Sequence, residues 1–268
     1  MIEPKHRDSG SWRDRLTDDN HLVGGFRECR RGPKFSASSV ASATSFRTPA
    51  EGSLERDLQR VLEDRRITTI MDIGAHVGLY AERLRALGFT GRIVSFEPSP
   101  RPFAELTSRT SGSWTALQCA LGDQDGSAEL RIYAEHEEFS SLRAPSTYGR
   151  DNFGLTLAET VTVPVRRLDD VAVEVGVDPA TTLVKIDTQG HDESVMEGGL
   201  GLLGAAAAMQ LEVPMFGLYE GAPSGTALIE RVRGLGFDLV GLYPVHEHPR
   251  PLVPVEFDGL FARGAQAG

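Results

Sequence analysis

Four acidic residues, Asp72, Glu97, Asp187 and Glu212, stand at or near the ends of separate short apolar runs. A carboxylate beside a core is costly unless it finds a partner. One such acid is explained well enough as a helix or turn cap. Four at matching positions point to a ligand site at the carboxyl ends of a sheet, where open α/β folds bind ligands. The first turn reads Asp72-Ile73-Gly74-Ala75-His76-Val77-Gly78. Gly74 and Gly78 remove side chains where a ligand would approach the backbone and the following helix N-terminus. His76 stands where the dinucleotide fingerprint needs a glycine for its pyrophosphate, so a ligand without phosphate fits better. Glu97 is placed to accept hydrogen bonds from both hydroxyls of a ribose and would repel a 2′-phosphate. Together these residues describe a pocket for a nucleoside that carries a cationic group.

The elements that must position them alternate. Leu54, Leu58, Val61 and Leu62 share one helix face, and this helix leads into a strand over residues 67–73. Val77, Tyr80, Ala81, Leu84 and Leu87 recur at helical spacing until Gly88. Strand 92–97, helix 101–109 and strand 114–121 follow. Residues 128–134 and 160–166 alternate like half-buried strands around a polar stretch, which predicts an insertion at about 126–166 across the top of the sheet. Strand 182–187, helix 192–203, strand 207–213 and helix 225–235 come next, then strands 237–242 and 257–262. The expected fold is α/β: a Rossmann-like, mostly parallel sheet with a C-terminal antiparallel strand and helices on both faces. The domain is expected over residues 53–268. Residues 1–52, Ser/Ala-rich from Phe35 to Phe46, read as an N-terminal arm or linker and a possible lid.

Composition narrows the classes. Residues 1–50 hold nine Lys or Arg and six Asp or Glu, and the remaining residues hold 19 and 32. An acidic body disfavours non-specific nucleic-acid binding. Two cysteines, Cys29 and Cys119, are too few for a disulfide framework. No run approaches the ~18 apolar residues of a membrane span, and the polar N-terminus lacks a signal-peptide core, so the expectation is a cytoplasmic protein. The oligomeric state is not readable.

Five blocks in chain order resemble the FkbM family of methyltransferases: D-I-G-A-H-V-G-L-Y from Asp72, S-F-E-P-S from Ser95, A-L-G-D-Q-D-G from Ala120, K-I-D-T-Q-G-H-D from Lys185 and D-G-L-F-A-R from Asp258. The resemblance implies a class I methyltransferase sheet and S-adenosylmethionine-dependent O-methylation of a small molecule, a sugar or natural-product intermediate. It implies that Asp72, Gly74, Ala75, His76 and Gly78 hold the methionine portion and Glu97, with Pro98 and Ser99 beside it, the ribose. Ala120, Leu121 and Asp123 would border the adenine, with Ser141 in the insertion near the cofactor. Where the family commonly has Glu two residues after the Gln-Gly pair, this chain has Asp192, expected to cap the next helix.

A hydroxyl nucleophile needs a base as the new bond forms. Asp187 is the first candidate and His191 the second, with Glu212 orienting a substrate hydroxyl. Lys185 and Asp187 share one side of a regular strand, so an ion pair that lowers the aspartate's basicity is open. His246-Glu247-His248, among Pro244, Pro249 and Pro251, reads as an exposed loop first, a substrate contact second and a divalent-metal site third, so no metal ligand is assigned. Two other functions compete: a nicotinamide-dependent oxidoreductase, which the missing glycine fingerprint disfavours, and a non-catalytic nucleoside-binding protein.

Overall fold

The structure is a computed structural model and describes residues 52–134, 136–247 and 254–264. The expected arm over residues 1–52 lies outside the described residues apart from Gly52, as does His248.

The chain runs α1 (Leu54–Asp64), β1 (Thr69–Ile73), α2 (Leu79–Ala86), β2 (Arg92–Phe96), α3 (Pro100–Arg109) and β3 (Trp114–Leu117). It continues through β4 (Ala120–Gly122), β5 (Gly126–Tyr133), α4 (Thr147–Phe153), β6 (Leu157–Arg167) and α5 (Leu168–Val175). It closes with β7 (Thr182–Ile186), α6 (Asp192–Gly198), α7 (Leu200–Leu203), β8 (Ala208–Pro214), α8 (Gly225–Gly234), β9 (Phe237–Glu247) and β10 (Pro254–Arg263). The main sheet has the order β3-β2-β1-β7-β8-β10-β9. The strands from β3 to β8 are parallel, and β10 runs antiparallel between β8 and β9. A strand order that reverses between β1 and β7 makes the switch-point crevice of an α/β fold.

Strand alternation divides the core in two. Ile70, Ile93 and Leu183 face α1, α2 and α3 through Leu58, Leu84 and Leu106. Met71, Val94 and Val184 face the other way, toward α5 to α8 through Val171, Met196, Leu203 and Leu228. Helices therefore cover both faces, as the alternation of strands and helices predicts. Among the described residues no helix is long and apolar enough to cross a membrane.

Several expectations need correction. Strand 114–121 is two strands: β3 stays in the main sheet, and β4 joins β6 and β5 in a second, three-stranded sheet. Helix 192–203 breaks at Gly199, where a Cβ would sit 2.5 Å from a Leu168 methyl carbon. Helix α5 adds an element to those expected from the sequence; Asp169 and Asp170 lie in its first turn and Gly176 at φ 64° closes it. Strand β9 runs through Pro244 to Glu247, so His246 and Glu247 belong to a strand rather than a loop. An edge strand tolerates proline because one side of its ladder needs no donor.

Candidate active site

The tips of β1, β2 and β7 and the second sheet enclose a cavity of about 390 Å³. That lies within the usual range for small-molecule pockets. The chain reaches it through a tight turn after β1. Gly74 has φ 78°, and a Cβ there would stand 1.7 Å from the Asp187 carbonyl oxygen. Only glycine lets the β1 and β7 tips approach so closely. Gly74→Ala is expected to destabilise the protein by more than ~2 kcal/mol in urea unfolding. An unchanged midpoint would show that the turn relaxes freely.

His76 also has positive φ, 48°, which is costly for a residue with a side chain. Glu97 holds it there: its Oε2 accepts from the His76 backbone N–H at 2.8 Å, and its Oε1 accepts from Ser99 N–H at 2.7 Å. Glu97 lines the cavity yet is almost fully buried. Burial pushes its carboxyl up to about 7, against the two backbone donors, which favour the charged form.

Asp72 sits differently. It precedes the last residue of β1, so alternation turns it toward α2 instead of past the strand tip. Ser95, Asp72, Lys185 and Gln210 are register neighbours on β2, β1, β7 and β8. They form one buried polar row beneath α2. Asp72 Oδ2 accepts from Ser95 Oγ at 3.1 Å, and its Oδ1 lies 3.3 Å from Lys185 Nζ. Lys185 also lies 3.1 Å from Asp187 Oδ2 and donates to Gly74 O at 3.0 Å. Burial drives the Asp72 carboxyl up and Lys185 opposes it; the two acids hold Lys185 charged despite burial. Tyr80 completes the row, its hydroxyl donating to Gln210 Oε1 at 2.9 Å and its ring 5.3 Å from Lys185 Nζ.

Glu97 and Asp187 each follow the last strand residue and so reach the cavity, where Asp187 keeps 30% of its side chain exposed. Gln189 links Asp187 to Glu212. Its amide nitrogen donates to Asp187 Oδ1 at 3.1 Å and to Glu212 Oε2 at 3.0 Å, and its oxygen accepts from the Tyr219 hydroxyl at 2.8 Å. Burial first, then the Asp187 charge, raises Glu212 well above the ordinary carboxylate range. Its neighbourhood therefore favours a neutral carboxyl. Gln189 itself stands at φ 52°, and Ser141 Oγ donates to its backbone oxygen at 2.6 Å. That bond ties the strap over residues 137–143 to the β7 loop.

Of the residues singled out from the sequence, Gly74, Ala75, His76, Glu97, Pro98, Ala120, Leu121, Ser141, Asp187, His191 and Glu212 line this one cavity. Asp72, Gly78, Ser99 and Asp123 do not. Gly78 makes room for packing, since a Cβ there would press on Leu106 and Trp114 at 2.8 Å. Ser99 acts through Glu97. Asp123 lines a separate polar groove with Arg143 and His191. The His191 ring lies toward Gly122, and burial and then Arg143 lower its basicity. Asp192 does not cap α6; its Oδ1 accepts from the Thr188 backbone N–H at 3.0 Å and from Thr188 Oγ1 at 2.9 Å, bracing the loop before the helix. Sequence reasoning missed Tyr80, Gln189 and Tyr219. Gln189 stood inside a quoted motif, but Tyr219 carried no local signal.

S-adenosylmethionine fits this lining on three observations. Glu97 presents a carboxylate to the cavity with lone pairs left for ribose hydroxyls. Leu121, Leu130, Phe139 and Leu142 make an apolar end suited to a purine, beside the Ser140 hydroxyl, which is buried without a partner. Asp72, Asp187 and Lys185 sum to one negative charge beside the turn, complementary to a sulfonium. Among the described residues no group of three or more His, Cys, Asp or Glu could hold a metal ion.

The chain is 28% identical to the 31-O-demethyl-FK506 methyltransferase FkbM of Streptomyces tacrolimicus over 48% of its own length and 58% of that protein. It is 26% identical to the hexuronic acid methyltransferase AglP of Haloferax volcanii over 54% and 56%. The match thus spans somewhat over half the length of these curated relatives. The solved structure of an rRNA methylase from Streptococcus thermophilus is similar at TM-score 0.44 and 13% identity, covering 78% of this chain and 93% of that one. The family pattern described as "Methyltransferase FkbM domain" matches residues 72–239, from the Asp72 turn to the start of β9. That span takes in every residue that lines the cavity except Val245, and the chain belongs to the FkbM methyltransferase domain family.

Proposed function

We propose that this protein is an S-adenosylmethionine-dependent O-methyltransferase acting on a hydroxyl of a small molecule, a sugar or natural-product intermediate. The observation that carries the reading is the meeting, in one cavity, of the buried Glu97 carboxylate and the Lys185-paired Asp187 around the Gly74 turn. The relatives support it, since one is a 31-O-demethyl-FK506 methyltransferase and another a hexuronic acid methyltransferase.

S-adenosylmethionine would supply an electrophilic methyl group on a sulfonium. Glu97 would accept from the ribose hydroxyls while its two backbone bonds keep it in place. Gly74, Ala75 and His76 would contact the methionine portion, and Ala120, Leu121 and Ser141 would border the base. Asp187 would take the proton of the acceptor hydroxyl and would also favour the positive sulfonium. Lys185 on one oxygen and Gln189 on the other fix its direction, at some cost in basicity. His191 faces Gly122 and the groove that holds Asp123 and Arg143, so it is the less suitable base. Glu212, whose carboxyl burial shifts toward the neutral form, would orient a substrate hydroxyl.

Calorimetric titration with S-adenosylmethionine should give a dissociation constant in the micromolar range, about 8 kcal/mol of binding. No binding at millimolar cofactor would remove the reading. Asp187→Asn should keep cofactor affinity within about tenfold while methyl transfer to an identified acceptor falls by ~100-fold or more. Full turnover in that variant would eliminate Asp187 as the base.

A further inference from the structure

The cavity lining includes residues to which the cofactor reading gives no role. They are Leu79 and Arg83 of α2 and Val245 of β9. Leu79 is 59% exposed and Val245 40% exposed. A single exposed aliphatic residue is ordinary, but two on the lining of one cavity leave apolar surface open to a ligand among the described residues.

Arg83 lies one helical turn beyond Leu79. Among the described residues its side chain makes no ion pair or hydrogen bond, and its neighbour Asp258 instead accepts from Gln210 at 3.1 Å. An unpaired guanidinium is notable here because residues 51–268 hold 32 acids against 19 bases. Arginine presents a planar fork that matches a carboxylate, and a single guanidinium balances one negative charge, whereas a phosphate dianion would need more. Lys185, set between Asp72 and Asp187, screens the floor so that an anion at the rim does not meet two bare carboxylates.

We propose that the methyl acceptor is an amphipathic carboxylate: its apolar part rests on Leu79 and Val245, and its carboxylate is held by Arg83. This rests on the reading of Glu97 and the Gly74 turn as the cofactor site, and it adds the acceptor's chemistry.

The test uses the full chain and three probes: octyl β-D-glucuronide, octyl β-D-glucoside and glucuronate. S-adenosylhomocysteine is titrated first by calorimetry; if it does not bind, the cofactor reading fails before any acceptor is added. With S-adenosylhomocysteine bound, octyl glucuronide should bind at least about tenfold more tightly than either other probe. Arg83→Ala should erase its advantage over octyl glucoside, and Leu79→Ser its advantage over glucuronate. Titration of each variant with S-adenosylhomocysteine reports whether the fold is intact. The proposal is overturned if octyl glucoside binds as well as octyl glucuronide, if Arg83→Ala leaves the preference standing, or if no probe binds at millimolar concentration.

Discussion

Affinity for S-adenosylmethionine should weaken by about tenfold for each pH unit below 7, and Glu97→Ala should abolish that dependence. The cause is the Glu97 carboxyl, which burial raises to about 7. Ribose hydroxyls donate to the charged form, so the cofactor must displace the proton at lower pH. Glu97→Ala should also weaken binding by ~100-fold at pH 8, the loss of two charge-assisted hydrogen bonds. The same group shapes stability with the opposite sign. Its folded value lies above its ordinary 4.5, so the folded state binds the extra proton between about 4.5 and 7. Stability of the cofactor-free protein is unaffected by this group below that window and falls as pH rises through it, by ~3 kcal/mol in total. Glu97→Ala removes that penalty but leaves the His76 and Ser99 N–H groups without an acceptor. The variant should therefore be clearly destabilised at pH 5, and the gap to wild type should narrow at pH 8. Urea unfolding at the two pH values, with calorimetry beside it, checks both signs. Equal affinity from pH 5 to 8 in the wild type would defeat the ribose assignment.

Lys185→Met should be the most damaging substitution on the cavity floor. It leaves Asp72, fully buried, and Asp187 without their counter-charge. Removing one partner of a buried pair typically costs ~3–5 kcal/mol, a large part of a domain's total stability. The methionine fills the volume, so the effect isolates charge from packing. In the variant, burial and the Asp187 charge raise Asp72 with no ammonium to oppose them. Acid should then restore part of the loss, because the protonated carboxyl is tolerated in the core. The expected outcome is a much lower urea midpoint at pH 8 that recovers partly at pH 5. A midpoint unchanged at both values would mean that the row beneath α2 is not held by charge.

The family, the order of the main strands and helices, and eleven residues of the cavity lining are legible in the amino-acid sequence. They are legible because they depend on local signals. Apolar periodicity marks an element, and an acid one residue past an apolar run, such as Glu97 or Asp187, must leave the core at the strand tip. The sequence could not separate Asp72 from them, because one residue of register decides between a tip and an interior position. Asp72 falls inside β1 and turns to Lys185 and Ser95. Folding in three dimensions decides which distant residues share the site. Tyr219 reaches Gln189 across 30 residues, Ser141 reaches it across 48, and Tyr80 reaches Gln210 across 130. It also decided where β3 ends and β4 begins, since strand partners on two different sheets compete for one apolar run. Such pairings are set by packing and hydrogen-bond satisfaction over the whole chain, and no local window of sequence contains them.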